Sequence, residues 1–352
     1  MKPMKKSYLA LLFASAAMLA ACDSKELVKP DEPLPAKDKV PLQLTSGIST
    51  TRGMTRAFDT SWDANDQIGV FATVAGNSAS ITNSGSQANS NIAYKITTDQ
   101  QTLDGTTHLY KAFEPSTEGT LIYLPADGSD IDVYAYYPWT SGVSASSPLS
   151  ISKPTTQTLA NQKSVDVLKA KALTSESVID IDHTTAQLLF SHILSKVIIK
   201  VKAGTGYSAA DLSGLTAVKI QGQPVTATFA PISQTLSITD ASCISEIVPV
   251  GPLTSSESDY ASDAVCTFRA LLLPTDATTN PVSNTARKIE FTIGSGSVTS
   301  TYYYDMAANN IALESGTVTV FTITLQATGV SITAAISDWS EVTSVPEAPL
   351  YE

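Results

Sequence analysis

The sequence predicts an all-β protein built as two β-sandwiches in tandem. Three observations predict it. Short stretches that alternate apolar and polar residues recur along the chain, with Gly, Pro, Asn and Asp between them. Val, Ile, Thr and Tyr are abundant in those stretches, and these residues suit a pleated surface better than a helix. The chain has 352 residues, enough for two domains of ordinary size.

The first 22 residues stand outside that fold. Lys2, Lys5 and Lys6 make a basic start, and residues 9–21 are apolar but too few to span a bilayer. This is the pattern of a secretory signal. Leu19-Ala20-Ala21-Cys22 resembles a bacterial lipobox, which implies that Cys22 carries lipid after cleavage. Residues 23–39 are charged and Pro-rich, so they cannot bury a face and read as a tether. Extended, they reach roughly 55 Å.

Residues 40–48 follow, with Val40, Leu42, Leu44 and Ile48 on one alternating face, as in a strand with one buried side. Residues 49–57 are polar, hold Arg52 and Arg56, and show no apolar period, so they read as an exposed loop. Residues 67–74 are the next strand, then 93–97, 109–113, 121–125 and 131–137. Two Ser-rich stretches, 76–91 and 141–162, read as surface loops. Residues 165–172 and 178–182 close the first unit. The first sandwich is expected over 40–185 and the second over 186–352. The second opens on the apolar run 188–201, whose start could hold one helical turn. Strands are then expected at 216–220, 225–229, 235–238, 266–273, 288–293, 297–304, 318–326 and 330–336.

The chemistry of the chain excludes several classes. There is no G-x-S-x-G, no P-loop and no H-E-x-x-H. Asp180 and Asp182 alternate with Ile179 and Ile181, which reads as a solvated strand face beside His183 and not as a metal site. No enzyme activity, cofactor or metal is expected. The formal charge is −11, and it becomes −14 without the signal, which holds three lysines and no acid. Such an acidic chain is a poor partner for nucleic acid. Cys243 and Cys266 are a pair in an exported chain, so they form either a disulfide or two small buried thiols. The clusters Tyr134, Tyr136, Tyr137, Trp139 and Tyr302, Tyr303, Tyr304 are either strand core positions or exposed rings for stacking on sugars.

Together these motifs resemble one family. The lipobox, the arginine loop, the block from Trp62 to Phe71 (WDANDQIGVF), Tyr136-Tyr137-Pro138-Trp139, Phe190-Ser191-His192 with Lys196-Val197, and Ile336-Ser337-Asp338-Trp339 look like the fimbrillins of Bacteroidia. That resemblance implies two transthyretin-like sandwiches and a type V pilus subunit involved in cell adhesion. It implies a precursor anchored to the outer membrane by lipid, and a mature form in the cell-surface fimbrium. It further implies that an Arg-specific surface protease removes the first strand, after Arg56 or Arg52. Arg56 is preferred because it directly precedes the Trp62 block. The emptied groove then takes a strand from another pilin subunit, giving a head-to-tail polymer. Val330, Ile332, Ala334 and Ile336 alternate as Val40, Leu42, Leu44 and Ile48 do, so this stretch is the candidate donor, or else the last core strand. A host or bacterial surface ligand is a further expected partner. The alternative reading is a surface glycan-binding lipoprotein that does not polymerise.

Overall fold

The computed structural model describes residues 39–48, 62–101, 110–173, 178–212, 215–238, 244–276, 280–281, 283–295, 298–326 and 329–338. In chain order the first strands are β1 (Gln43–Ile48), β2 (Gln67–Val74), β3 (Asn77–Ile81), β4 (Asn83–Ser84), β5 (Gln87–Ala88), β6 (Ile92–Gln101), β7 (Tyr110–Pro115) and β8 (Ile131–Tyr137). Next come β9 (Leu149–Ser152), helix α1 (Leu159–Val165), β10 (Leu168–Leu173), β11 (Thr185–His192), β12 (Ser195–Ala203), helix α2 (Ala209–Leu212) and β13 (Leu215–Pro224). The rest are β14 (Thr226–Ala230), β15 (Thr235–Ile238), β16 (Ile244–Ile247), β17 (Cys266–Leu272), β18 (Lys288–Ser295), β19 (Val298–Asp305), β20 (Thr317–Gln326) and β21 (Gly329–Asp338). The fold class is all-β.

The first sandwich is a sheet in the order β3-β2-β6-β7-β1-β11-β10-β8, and β8 also pairs with β2. Seven strands therefore close on themselves, a device that removes exposed edges. Their inward positions fill one core: Leu44, Ile68, Val70, Tyr94, Phe113, Val133, Leu168, Leu188 and Phe190 among others. The second sandwich stacks the sheet β17-β12-β20-β21 on β16-β13-β18-β19. Val197, Ile199, Phe268, Ile289, Phe291, Phe321 and Ile323 pack between the two sheets.

A third core joins the two sandwiches. Phe71, Tyr134 and Tyr136 point out of the first ring, and Ile198, Leu271 and Val320 point out of the second sandwich. Between them lies a small sheet, β15-β14-β9, contributing Leu149, Ile151, Ala227 and Phe229. β9 precedes α1 while β14 follows β13, so the two halves are interleaved by backbone pairing, Leu149 to Phe229 and Ser152 to Thr226. β2 and β8 are thus covered on both faces, which is why they read as nearly continuous apolar runs.

The structure differs from the expected elements in particular places. The stretch 76–91 is not a plain loop but carries β3, β4 and β5. Its order comes from hydrogen bonds rather than apolar alternation. Buried Asn89 donates to Thr82 Oγ1 at 2.9 Å and accepts from Ser84 Oγ at 2.8 Å. The stretch 141–162 holds β9 and the start of α1, whose first turn is closed by a capping box between Thr158 and Asn161. Residues 121–125 make a single bridge, Tyr123 to Pro41, instead of a strand. Residues 178–182 turn around Asp180, which accepts from the Asp182 and His183 amides. The apolar run 188–201 holds no helical turn. It is the end of β11 and the start of β12, and the chain crosses from one sandwich to the other at Ile193 and Leu194.

Candidate functional site: a first strand seated between two neighbours

β1 lies in the interior of its sheet. On one side it runs parallel to β11, from Gln43 opposite Thr185 to Ile48 opposite Phe190. On the other it runs antiparallel to β7, with Leu44 opposite Phe113 and Ser46 opposite Lys111. The approach to β1 is held as well. Leu42 N–H donates to the Ile122 carbonyl and Leu124 N–H to the Val40 carbonyl, both at 2.9 Å. Ile122 is braced in turn, its N–H donating to the buried Tyr94 hydroxyl at 3.2 Å. Burial pushes that phenol up to about 12.

The apolar face of this segment points into the first core. Leu42 and Leu44 are 3% and 2% exposed, and half-buried Val40 packs against the same cluster. Burying a leucine stabilises by roughly 1.5–3 kcal/mol, an upper figure because unfolded chains already hide some surface. Ile48 takes its place in the ladder opposite Phe190. Withdrawing such a strand would leave β7 and β11 with unpaired edges on either side of an apolar slot, which is a template for another strand. Cys22, Arg52 and Arg56 lie outside the described residues.

Trp62 is the first described residue after Arg52 and Arg56, and it is 5% exposed. Its indole meets three rings edge to face: Phe190 at 5.0 Å, Tyr137 at 5.4 Å and Phe113 at 5.5 Å. The turn behind it is fixed. Asp63 N–H donates to Asp66 Oδ2 at 2.8 Å, Tyr137 Oη donates to Asp66 Oδ1 at 3.1 Å, and Asp63 pairs with Lys163 of α1.

At the other end of the chain, β21 stands at the margin of its sheet and pairs with β20 along its whole length. Val330, Ile332, Ala334 and Ile336 lie opposite Leu325, Ile323, Phe321 and Thr319. The opposite margin, β17, is sealed. Arg269 exchanges two 2.8 Å backbone bonds with Val250, and Leu253 N–H donates to the Thr267 carbonyl at 2.7 Å. Gln157 and Gln162 seal the remainder, and a buried network continues from them. Arg269 Nε donates to Gln162 Oε1 at 3.0 Å, and Asp259 pairs with Arg269 at 2.7 Å and Lys196 at 3.1 Å. Nothing in the Ser/Thr-rich sequence around these glutamines marks them for this role.

Cys266 is a half-buried free thiol at the start of β17, and Cys243 lies outside the described residues. Tyr134, Tyr136 and Tyr137 are buried, and the half-buried Trp139 spends its indole N–H on the Asn91 carbonyl at 3.2 Å. Tyr304 is buried, while Tyr303 is 52% exposed. Among the described residues no cluster of His, Cys, Asp and Glu is placed to hold a metal, and no helix is long and apolar enough to cross a membrane.

Fold and site together define a two-sandwich β-protein whose N-terminal strand is an interior member of its sheet. The sequence profile of the fimbrillin-like family matches residues 55–339, and the chain belongs to that family. A candidate fimbrium subunit of Bacteroides uniformis, Fim1C, is 27% identical over 350 residues, covering 96% of each chain. The fold is shared with a candidate cell adhesion protein of Bacteroides uniformis at a TM-score of 0.61 and 23% identity, over 87% of this chain and all of that one. A second such protein, from Bacteroides ovatus, gives 0.57 and 20% with the same coverage.

Proposed function

We propose that the chain is a structural subunit of a fimbrium acting in cell adhesion, assembled by strand exchange. On this reading it is exported as a lipoprotein through Cys22 and held off the outer membrane by residues 23–39. An Arg-specific protease then cuts after Arg56, or after Arg52, and β1 leaves. The observation that carries the reading is the position of β1. It is hydrogen-bonded on both sides, Leu44 within it and Leu42 just ahead of it are buried, and the chain continues from it through the stretch that holds Arg52 and Arg56. A strand supplied by another copy would restore both ladders and the burial. One slot and one donor per subunit make a head-to-tail contact that does not close, hence a fibre. β21 is the donor on this reading, since it has one sheet neighbour to leave and an alternating pattern like that of β1. The two sandwiches are taken to be units that meet at Ile193 and Leu194 and not at residue 186, because β11 pairs with β1 and β10 of the first while β12 belongs to the second.

The test is the variant Arg52→Ala/Arg56→Ala. It should remain a lipid-tethered monomer, while the unaltered chain acquires a new N-terminus at Ala57 or Gly53 and forms fibres. Fibres from the double variant would sink the reading.

A further inference from the structure

We infer that Trp62 is the floor of the slot under β1 and keeps that slot open once the strand has gone. The inference rests on the proposed removal of β1. β7 and β11 are not paired with each other; β1 separates them. Trp62 touches a ring on each of them, Phe113 on β7 and Phe190 on β11. Those two residues are also the ones directly opposite Leu44 and Ile48 of β1. The indole therefore spans the gap that β1 fills, beneath the strand rather than beside it in the ladder.

Trp62 also lies on the far side of Arg52 and Arg56 from β1, so a cut at either arginine leaves it in the body. The Asp63 to Asp66 turn, with Asn65 in the left-handed region at φ 71°, is held by Tyr137 of β8 and Lys163 of α1. When β1 departs, the hydrogen-bonded link between β7 and β11 is lost, but the aromatic bridge is not. The two rims stay one strand apart, and a new strand meets a slot of the right width. Without the indole the rims are free to close over the exposed core, and entry becomes slow. The occupant that fits is a second segment with β1's alternation, presented by another copy of this chain.

The experiment uses the full chain, cut once after Arg56 so that both pieces remain present. A labelled peptide of residues 40–48 is added in excess, and its uptake is followed by fluorescence anisotropy as the original strand leaves. The wild-type chain should take up one peptide per molecule. Trp62→Ala should slow uptake at least tenfold, and Trp62→Phe should restore most of it. Val133→Ala, a core change on β8 away from the slot, serves as a control that lowers stability but leaves uptake unchanged. Equal uptake by wild type and Trp62→Ala would overturn the role of Trp62. So would equal slowing by Val133→Ala, which would show that general loosening is enough. If Trp62→Ala does not fold, Trp62→Leu, which fills part of the space without a ring to bridge Phe113 and Phe190, decides in its place: uptake below half the wild-type rate supports the inference, and the full wild-type rate overturns it. No uptake even by the folded wild type would overturn the removal of β1 itself, and this inference with it.

Discussion

Gln157 holds Leu271 by both sides of its backbone. Its Nε2 donates to the Leu271 carbonyl at 2.7 Å, and its Oε1 accepts from the Leu271 N–H at 2.9 Å, across 114 residues of sequence. A side-chain amide thus takes the place of a neighbouring strand. Gln162 backs it, donating to Gln157 Oε1 at 2.8 Å. Gln157→Leu keeps the volume and removes every one of these bonds. It leaves a buried N–H and carbonyl bare, at a cost of about 2–4 kcal/mol. Urea denaturation should show that loss, and an unchanged midpoint would refute the seal.

Leu44→Ala should destabilise the uncut chain by about 2–5 kcal/mol, because the cavity opens in the first core. The same substitution should leave the melting of assembled fibres unchanged, since β1 is absent from them on the proposed reading. Calorimetry on both forms separates a removable strand from a permanent one.

Gly69 lies on β2 where the third core presses closest. A Cβ there would meet the Tyr136 ring at 2.2 Å and Asn91 Oδ1 at 2.5 Å. The Tyr136 hydroxyl is itself engaged, donating to Asn91 Oδ1 at 2.8 Å and bonding to Thr140, so the ring has little freedom to yield. Gly69→Ala should cost about 1–3 kcal/mol or more by overpacking. Gly76→Ala adds a Cβ where nothing lies within 4 Å, so it should cost only its backbone strain at φ 70°. Thermal melts of the two variants should rank them in that order.

Lys153 gives a pH dependence with a definite sign. Its ammonium is buried and donates to the Val165 carbonyl at 2.6 Å. Burial pulls its pKa down to about 7, against the opposing pull of the Asp166 carboxylate, while an unfolded lysine titrates at 10.5. Between those values the unfolded chain holds more protons, so stability rises with pH across the window. Below about 7 both states are protonated, and the penalty is full and constant. The stability of wild type relative to Lys153→Met should therefore climb from pH 7 to pH 10. A flat difference would mean that the amine is charged and solvated.

How much of this was legible in the sequence depended on what orders each segment. β2 and β8 could be read to the residue because apolar side chains define them. β3, β4 and β5 could not, because Asn89 and its partners order them with polar atoms. The alternation of Val40, Leu42 and Leu44 showed a strand with a buried face, but not that it lies between β7 and β11. Pairing partners 70 and 140 residues away leave no local trace. Nor could the tyrosines of β8 be assigned. Tyr134 and Tyr136 alternate with Val133 and Ala135 and so lie on the opposite face, and only the fold of β9 and β14 shows that this face too is covered. The cap at Thr158 carries a weak signal in sequence, because Asn161 stands where Glu or Gln more often closes such a box.

The pairing of β9 with β14 has a mechanical corollary. On the proposed reading, tension entering through the slot in one half would reach the other half through a common interior, not along a bare connector. Strung end to end, such pieces would have no internal hinge. The curvature and stretch of the resulting filament would then be decided wholly at the joints between neighbours.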